Sequence, residues 1–464
     1  MNNIDITDEM EITNKITDII LNSQEREYSP DVTQQFKRAF MDYICSAITG
    51  SSEPAAQQLF NYLSSIEKGG DCTVIGHSSK LSPPSAAFIN GTSAHSLDFD
   101  DGHTQGSIHL GGVVFPAVLA VGEQYGSSPK EMIKAVITGY EIGGRLAAAL
   151  HPHVWQRGFH NTPVIGIFGA VASVSTLLKS NKTEILNALG QAGSFSGGLF
   201  EFLGEGADVK RLHPGKAARD AIICVELARR NITGPHKVFE GKNGFLKAFA
   251  NNQINMERLF QETGSEPEIL NIYFKPYPCC RHLHGPIDAV KIIKKRHKID
   301  LNQISEIEVS TYKVASKHSH YQTKTLLDAQ MSIPCAVSLA LVYEDVTIGT
   351  FQKEDVNAAD VQSILKKVRV RINEKCEEIY PRHRSSNLTI TLKNGERITE
   401  FVVDPIGESH TPLSNQELEK KFKNNSTQFI PEKRIEEIIA AIWNFEHLSD
   451  LEAFYNLYRG ENNT

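Results

Sequence analysis

The stretch TPVIGIFGAVASVSTLLKS, Thr162 to Ser180, carries no charged residue before Lys179. Its apolar residues fall on every side of a helix rather than along one stripe. A helix of that kind is stable only when other elements enclose it. Gly166, Gly169, Ala170 and Ala172 leave room for those neighbours to approach closely. The flanking sequence supplies them. DVTQQFKRAFMDYICSAITG has apolar residues at helical spacing and ends at Gly50. SPKEMIKAVITGYEIGGRLAAAL opens on an N-cap residue, Ser128, with Pro129 at the first helical position. KTEILNALGQAGSFSGG and GKAARDAIICVELARRN continue the pattern, and strand signals are scarce from Met1 to about Gln261.

The pattern changes after GSEPEILNIYFKPYPCC. ISEIEVSTYKVA, VRVRINE and NLTITLKNGERITEFVV alternate as strands do, and Asn394-Gly395 marks a hairpin. Helical segments, PCAVSLALVYE and ADVQSILKKV, lie between them. The tail, PLSNQELEKKFKNN and PEKRIEEIIAAIWNFEHL, is helical again. In a chain of 464 residues this predicts two domains of a mainly α fold. A large helical domain comes from residues 1–270 plus 406–464, and a smaller α+β domain is inserted at 271–405.

The formal net charge of −7 and the lack of a Lys/Arg block argue against nucleic acid as a partner. The N-terminus is polar and acidic, without the basic and apolar regions of a secretory signal. GGVVFPAVLAVG is too short for a membrane span and is broken by Pro116. Seven cysteines, an odd number in a long chain, do not form a disulfide framework. The expectation is a cytoplasmic protein that meets no membrane.

Four segments concentrate titratable groups. NGTSAHSLDFDDGHTQGSIHLGG holds Asp98, Asp100, Asp101, His95, His103 and His109. Three readings stand open there. Asp100 or Asp101 caps a turn or helix; a buried carboxylate tunes an imidazole for proton transfer; or Asp98, His103 and His109 bind a metal, although no spacing such as HExxH is present. In HPHVWQRGFHNTP, His160 precedes the buried helix, whose positive end favours a neutral imidazole. GADVKRLHPGKAARD gathers Lys210, Arg211, His213 and Lys216 into a basic knot suited to an anionic substrate, or into a solvated loop. FKPYPCCRHLHGPIDAV has adjacent cysteines and two histidines but no CxxC, which speaks against zinc and against a dithiol redox site. Pro276 and Pro278 read instead as a rigid hinge. GSFSGGLFEFLGEG and GYEIGGRL lack a nucleotide-binding context, and no GxSxG elbow occurs.

Taken in order, NGTSAHSLDFDDGH, GYEIGGRL, GFHNTPVIGIFGA, VKRLHPGKAA, FKPYPCCRHLHGPIDA, DAQMSIPCAVSLAL and PLSNQELEKKFKNN resemble the MmgE/PrpD family, over nearly the whole chain. That family includes 2-methylcitrate dehydratase, cis-aconitate decarboxylase and iminodisuccinate epimerase. The resemblance implies a helical domain built by both chain ends, an inserted α+β lid, a homodimer, and an active site between the domains that needs no cofactor or metal. By position it implies catalytic roles for Asp98, His109, His160, Lys210 and Tyr140. Lys275, Cys280, His284 and His103 would contact the substrate. Cys280 stands where cis-aconitate decarboxylase has a histidine, and Gly102 where it has a threonine. DFDD replaces the DFND of the dehydratases, and YPCC is closer to the epimerase-like branch.

The implied function is a lyase acting on a small di- or tricarboxylate by acid–base chemistry beside a carboxylate, through loss of water or CO2. His160 is the expected base or acid, with Asp98 orienting an imidazole such as His109. An epimerase of an aminodicarboxylate is the alternative. More remote are a metal-dependent lyase using Asp98, Asp101, His103 and His109, and a helical binding protein without activity.

Overall fold

The computed structural model of the chain describes residues 10–202, 206–260 and 266–460. The fold is mainly α, with short strands and one four-stranded sheet among the described residues. The described residues divide into two compact units. One lies within Met1–Ser96, Asp100–Ile272 and Asn415–Thr464, the other within Leu97–Phe99 and Tyr273–Ser414.

The first unit is helical. Its main helices are α1 (Pro30–Gly50), α2 (Pro83–His95), α3 (Gly111–Tyr125), α4 (Pro129–Leu150), α5 (Asn161–Leu177) and α6 (Val209–Arg229). Helix α5 is the apolar segment with which the sequence begins to constrain the fold, and all of its residues are buried. Helix α4 starts in the expected capping box: Ser128 accepts from the Glu131 N–H, and the Glu131 carboxylate accepts from the Ser128 N–H. Helix α3 continues through Pro116, where the sequence suggested a break. Proline there forfeits one backbone hydrogen bond, while every residue from Gly111 to Gly122 is buried by its neighbours.

The segment around Lys210 is also not a loop. It is the start of α6, and Pro214 and Gly215 lie inside the helix. Gly215 is required for packing. A Cβ on Gly215 would collide with the Phe88 carbonyl of α2, and one on Gly91 would lie 2.6 Å from the Gly215 Cα. Two helices crossing at paired glycines bring His95, at the end of α2, beside the basic start of α6.

The chain ends meet in this unit. The rings of Phe36 and Phe40 on α1 pack against Phe445 at centroid distances of 5.6 and 5.1 Å, and Phe40 against Phe454 at 5.7 Å. Lys421, on helix Asn415–Ser426, forms a buried ion pair with Asp42 of α1 at 2.6 Å. No helix among the described residues is long and apolar enough to cross a membrane.

The second unit carries α7 (His284–Arg296), β1 (Ile304–Thr311), α8 (Ile333–Val342), β2 (Val368–Ile372), β3 (Ser386–Leu392) and β4 (Arg397–Val402). The sheet order is β2-β1-β3-β4. Strands β1 and β2 are parallel, with Val309 opposite Val370, and the other pairs are antiparallel. The β3–β4 hairpin turns at Asn394-Gly395, where Gly395 takes φ +88° and the Asn394 side chain accepts from the Glu396 N–H. Ile287, Val290, Ile307, Val309, Val337 and Leu388 form its core.

Leu97–Phe99 belongs to this second unit although the flanking chain does not. Leu97 and Phe99 pack with Ile348, Gln330 donates to the Leu97 carbonyl at 2.7 Å, and Asp98 pairs with Lys275. The sequence contains no sign of this, since the three residues are continuous with a helical motif.

Candidate active site

Within the first unit four imidazoles form a row. The end of α2 supplies His95, and the turn before α3 supplies His109, with ring centroids 4.9 Å apart. His160 stands at the N-cap of α5, 6.2 Å from His95. His213, one turn into α6, lies 5.2 Å from His160.

The carboxylate that serves this row is Asp100. His95 donates from Nδ1 to its two oxygens at 3.0 and 2.9 Å, and His109 Nδ1 lies 3.7 Å from Oδ2. His109 donates from Nδ1 to the Asp101 carbonyl at 2.7 Å. A carbonyl can only accept, so in a neutral His109 ring the basic nitrogen is Nε2. The sequence reading expected Asp98 beside an imidazole such as His109; the carboxylate 3.7 Å from His109 Nδ1 is that of Asp100. Asp98 sits in the second unit with φ +52°, in the left-handed region. Its carbonyl and carboxylate each accept from Lys275 Nζ at 2.8 Å. That grip offsets a backbone conformation that is unfavourable for a residue with a Cβ.

Asp101 partly vindicates the capping reading. Its Oδ1 accepts from the N–H of Gly111, the first residue of α3, at 2.9 Å, and Oδ2 receives the Tyr140 hydroxyl at 2.7 Å. Burial, with Asp42 adding to it, pushes the Asp101 carboxyl up to about 8. Tyr140 is fully buried on α4, and burial together with Asp101 drives its phenol well above the ordinary value. Tyr140 therefore holds its proton.

His160 and His213 share a hydrogen bond, Nδ1 to Nδ1, at 2.9 Å. One ring donates and the other accepts, so at least the accepting ring is neutral. His160 is enclosed by Phe200 and Phe202 at 5.5 and 5.4 Å. Burial, then the proximity of His213, His95 and Lys210, holds its pKa well below the ordinary imidazole value. The direction matches the expectation from sequence, but the leading cause is desolvation rather than the helix end. His213 is depressed to about 4, again chiefly by burial. Lys210 is buried in the first turn of α6, and its charge contributes to both shifts. Lys216 instead pairs with Asp220 at 2.8 Å, and Arg211 with Asp208 at 3.3 Å.

Two expected contact residues are committed elsewhere. His103 accepts the Gly106 N–H at Nδ1 and donates from Nε2 to Glu268 at 2.8 Å. Burial alone would raise Glu268, but His103 and Arg258 outweigh it and hold the carboxyl far below its usual range. His284 receives Arg281 at Nδ1, 2.9 Å, and donates from Nε2 to the Cys279 carbonyl at 3.2 Å. Both histidines spend their ring nitrogens on the protein. Of the four residues weighed from sequence as one metal site, Asp98, Asp101 and His103 thus have other partners. In the first unit, His95, Asp100 and His109 do converge, with ligand atoms within 4.8 Å of one another. Two imidazoles and a carboxylate could hold an ion there.

In the second unit Cys280 Sγ lies 4.0 Å from His318 Nε2. Burial would raise the thiol, but the facing imidazole outweighs it and leaves Cys280 below its ordinary value. His318 moves the other way: burial would lower it, and Cys280 and a hydrogen bond to Met331 raise it. His318 and His95 were given no role of their own by the sequence, Asp100 only that of a possible cap, and His213 only a place in the basic knot. His95, Asp100 and His213 lay inside the charged segments already singled out. His318, in KHSHYQ, has no motif around it.

Comparison with known proteins gives a consistent relationship. Residues 14–257 match the MmgE/PrpD N-terminal domain, and residues 277–445 match the MmgE/PrpD C-terminal domain. A cis-aconitate decarboxylase-like protein of Aspergillus oryzae is 26% identical, over 98% of this chain and 99% of its own. The cis-aconitate decarboxylase of Aspergillus terreus is 25% identical, covering 96% of this chain and 95% of its own. The human cis-aconitate decarboxylase is 26% identical, covering 92% and 90%.

Proposed function

Because the chain belongs to the MmgE/PrpD family, we propose that it is a lyase that removes CO2 or water from a small di- or tricarboxylate by acid–base chemistry beside a carboxylate. The observation that carries this reading is the row His109–His95–His160–His213, with Asp100 against one end and Lys210 beside the other. Three segments distant in sequence contribute to it. The relatives named as cis-aconitate decarboxylases support the reaction class and the tricarboxylate substrate.

The electrostatics suit a polyanion. Lys210 is assigned to a substrate carboxylate, a role for which a buried cation is effective. Its charge and the burial that keep His160 neutral are countered when the anion binds, so the imidazole becomes easier to protonate in the complex. When CO2 leaves, the electron pair of the broken C–C bond remains on a carbon beside a carboxylate and delocalises into it. That carbon is then protonated by the imidazolium. When water leaves instead, neutral His160 takes the proton from that carbon and a second group protonates the departing hydroxyl. Neither path needs a metal at the histidine row. We assign His160 the proton transfer, with His213 fixing its tautomer. Asp100 fixes His95, and the His109 side chain is set by the Asp101 carbonyl. The protein is further proposed to act as a cytoplasmic homodimer.

The test is NMR in D2O with citrate-like, aconitate-like and aminodicarboxylate compounds. Loss of CO2 with deuterium entering beside the carboxylate, or loss of water with the proton beside the carboxylate released to solvent, from one of the first two is the expected result. Turnover only of an aminodicarboxylate, with exchange and inversion and nothing lost, would replace the lyase by an epimerase.

A further inference from the structure

The second unit carries two imidazoles and a carboxylate that the proposed proton chemistry does not use. We propose that His383, Asp404 and His410 form a binding site for a divalent transition metal of the zinc type, with its remaining coordination positions open to solvent.

Secondary structure brings the three residues together. Strands β3 and β4 pair antiparallel with Ser386 opposite Val402, so the chain just before β3 and the chain just beyond β4 lie side by side. His383 is on the first of these and Asp404 on the second, and the Arg384 N–H donates to Asp404 Oδ1 at 3.3 Å. His410 is on the turn that follows Asp404. That turn is fastened along its length. The Ile406 N–H donates to the Asp288 carboxylate at 2.8 Å, the Phe274 N–H to the Gly407 carbonyl at 3.0 Å, and the Gly407 N–H to the Thr411 carbonyl at 2.8 Å. All three ligands therefore stand on backbone that is already fixed, and an ion does not have to gather them.

The side chains are also aimed at one point. Asp404 Oδ2 accepts from His383 Nδ1 at 2.6 Å and from His410 Nε2 at 2.7 Å. The rings arrive from different directions, with centroids 6.0 Å apart and planes at 81°. One ligand atom from each residue lies within 4.8 Å of the other two. The Asp404 side chain is 6% exposed, while those of His383 and His410 are 29% and 51% exposed, so an ion can enter from the histidine side. Around a tetrahedral zinc, bonds of about 2.0–2.2 Å to nitrogen and oxygen set neighbouring ligand atoms roughly 3.3–3.5 Å apart. The two N–O distances would open by roughly 0.6–0.8 Å to reach that geometry. Rotation of two partly exposed rings supplies this without a backbone movement.

The chemistry of the exchange is balanced. A carboxylate only accepts, so in the metal-free fold each neutral ring donates to Asp404 and keeps its lone pair on the opposite nitrogen. An ion takes the lone pairs of His383 Nδ1 and His410 Nε2, and each ring carries its one proton on the other nitrogen instead. Asp404 neutralises half of the dication. The Arg384 N–H on Oδ1 then serves as the outer hydrogen bond that orients the ligating carboxylate. Two imidazoles with one carboxylate suit zinc, cobalt or nickel rather than magnesium or calcium.

Histidine labelling of the full-length protein, stripped of metals, tests the proposal. Diethyl pyrocarbonate acylates the lone pair of a neutral imidazole, and mass spectrometry reads the product at each histidine. Zinc should suppress labelling of both His383 and His410, and magnesium should not. Losing a ligand costs at least as much as losing an outer-shell partner, about 10–100-fold, so His410→Gln should raise by that factor or more the zinc concentration that protects His383. His383→Gln should do the same to His410. Asp404→Asn keeps an acceptor for the Arg384 N–H but not the charge, and should abolish zinc protection of both rings. The two histidine variants change exposed side chains and decide the matter even if Asp404→Asn does not fold. Zinc protection of neither ring or of only one, equal protection by magnesium, or an unchanged zinc dependence at His383 in His410→Gln would each overturn the site. None of these readouts depends on turnover, so they stand apart from the lyase reading.

Discussion

His160 combines three conditions that a general base requires: enclosure, a partner that fixes its tautomer, and a pKa held down by burial. His160→Asn keeps the size and some hydrogen bonding but cannot exchange protons. It should fold and bind substrate, and lose roughly 10²–10⁴-fold in kcat. Deuterium incorporation at the native rate would assign the proton to another residue. Because the free-enzyme pKa lies below that of an ordinary imidazole, the acid limb of kcat/KM should fall below pH 6.5. The neighbouring shifts act on stability with opposite signs. His213 binds its proton near pH 4 in the folded chain and near 6.5 when unfolded, so its contribution is lost as pH falls from about 6.5 towards 4. Asp101 is raised from 3.8 to about 8, so the unfolded chain releases that proton first, and stability is lost as pH rises between those values. Asp101→Asn removes that loss. Its melting temperature relative to the native chain should climb with pH and level off above about 8; a constant difference would show that Asp101 is ionised in the fold.

Helices α2 and α6 are the elements whose crossing assembles the row. Their contact at Gly91 and Gly215 leaves no room for a methyl group against the Phe88 carbonyl. Gly215→Ala must push the helices apart, an overpacking change that costs about 1–3 kcal/mol or more. It should lower both the melting temperature and kcat, since His213 moves with α6 and His95 with α2. Unchanged kcat in a destabilised variant would mean that the row tolerates the shift. The same element separates two lysines that composition cannot distinguish. Lys210→Met should raise KM and lower kcat together, at a cost of roughly 2–5 kcal/mol if the pair with substrate is desolvated. Lys216→Met should do little to kcat and KM, because Lys216 is spent on Asp220.

On the scale of the molecule, the first unit is closed by residues from both ends of the chain. Asp42 and Lys421 are a buried ion pair 379 positions apart. Removing one member of a buried pair typically costs 3–5 kcal/mol because the remaining charge loses its counter-charge. Lys421→Met should therefore destabilise strongly in denaturant unfolding, and Asp42→Asn combined with Lys421→Met should recover part of the loss. Additive losses would show that the two charges do not act as a pair.

Periodicity alone was enough for the helical character, the enclosed segment Thr162–Ser180, the Ser128 cap and the Asn394-Gly395 hairpin. These depend on spacing between near neighbours, which a sequence displays. Motif order along the chain was enough for the family, and it singled out His160, Lys210 and Tyr140. Tertiary structure decided what each polar side chain faces. Asp98 and Asp100 are two residues apart, yet one grips Lys275 and the other serves His95 and His109. His103 and His284 satisfy both ring nitrogens internally, and His318 meets Cys280 from 38 residues away. A histidine in a string of letters carries no record of its partner. The partner is fixed by where helices cross and which group is left facing which, and that in turn sets whether the ring is a base, a ligand or a strut.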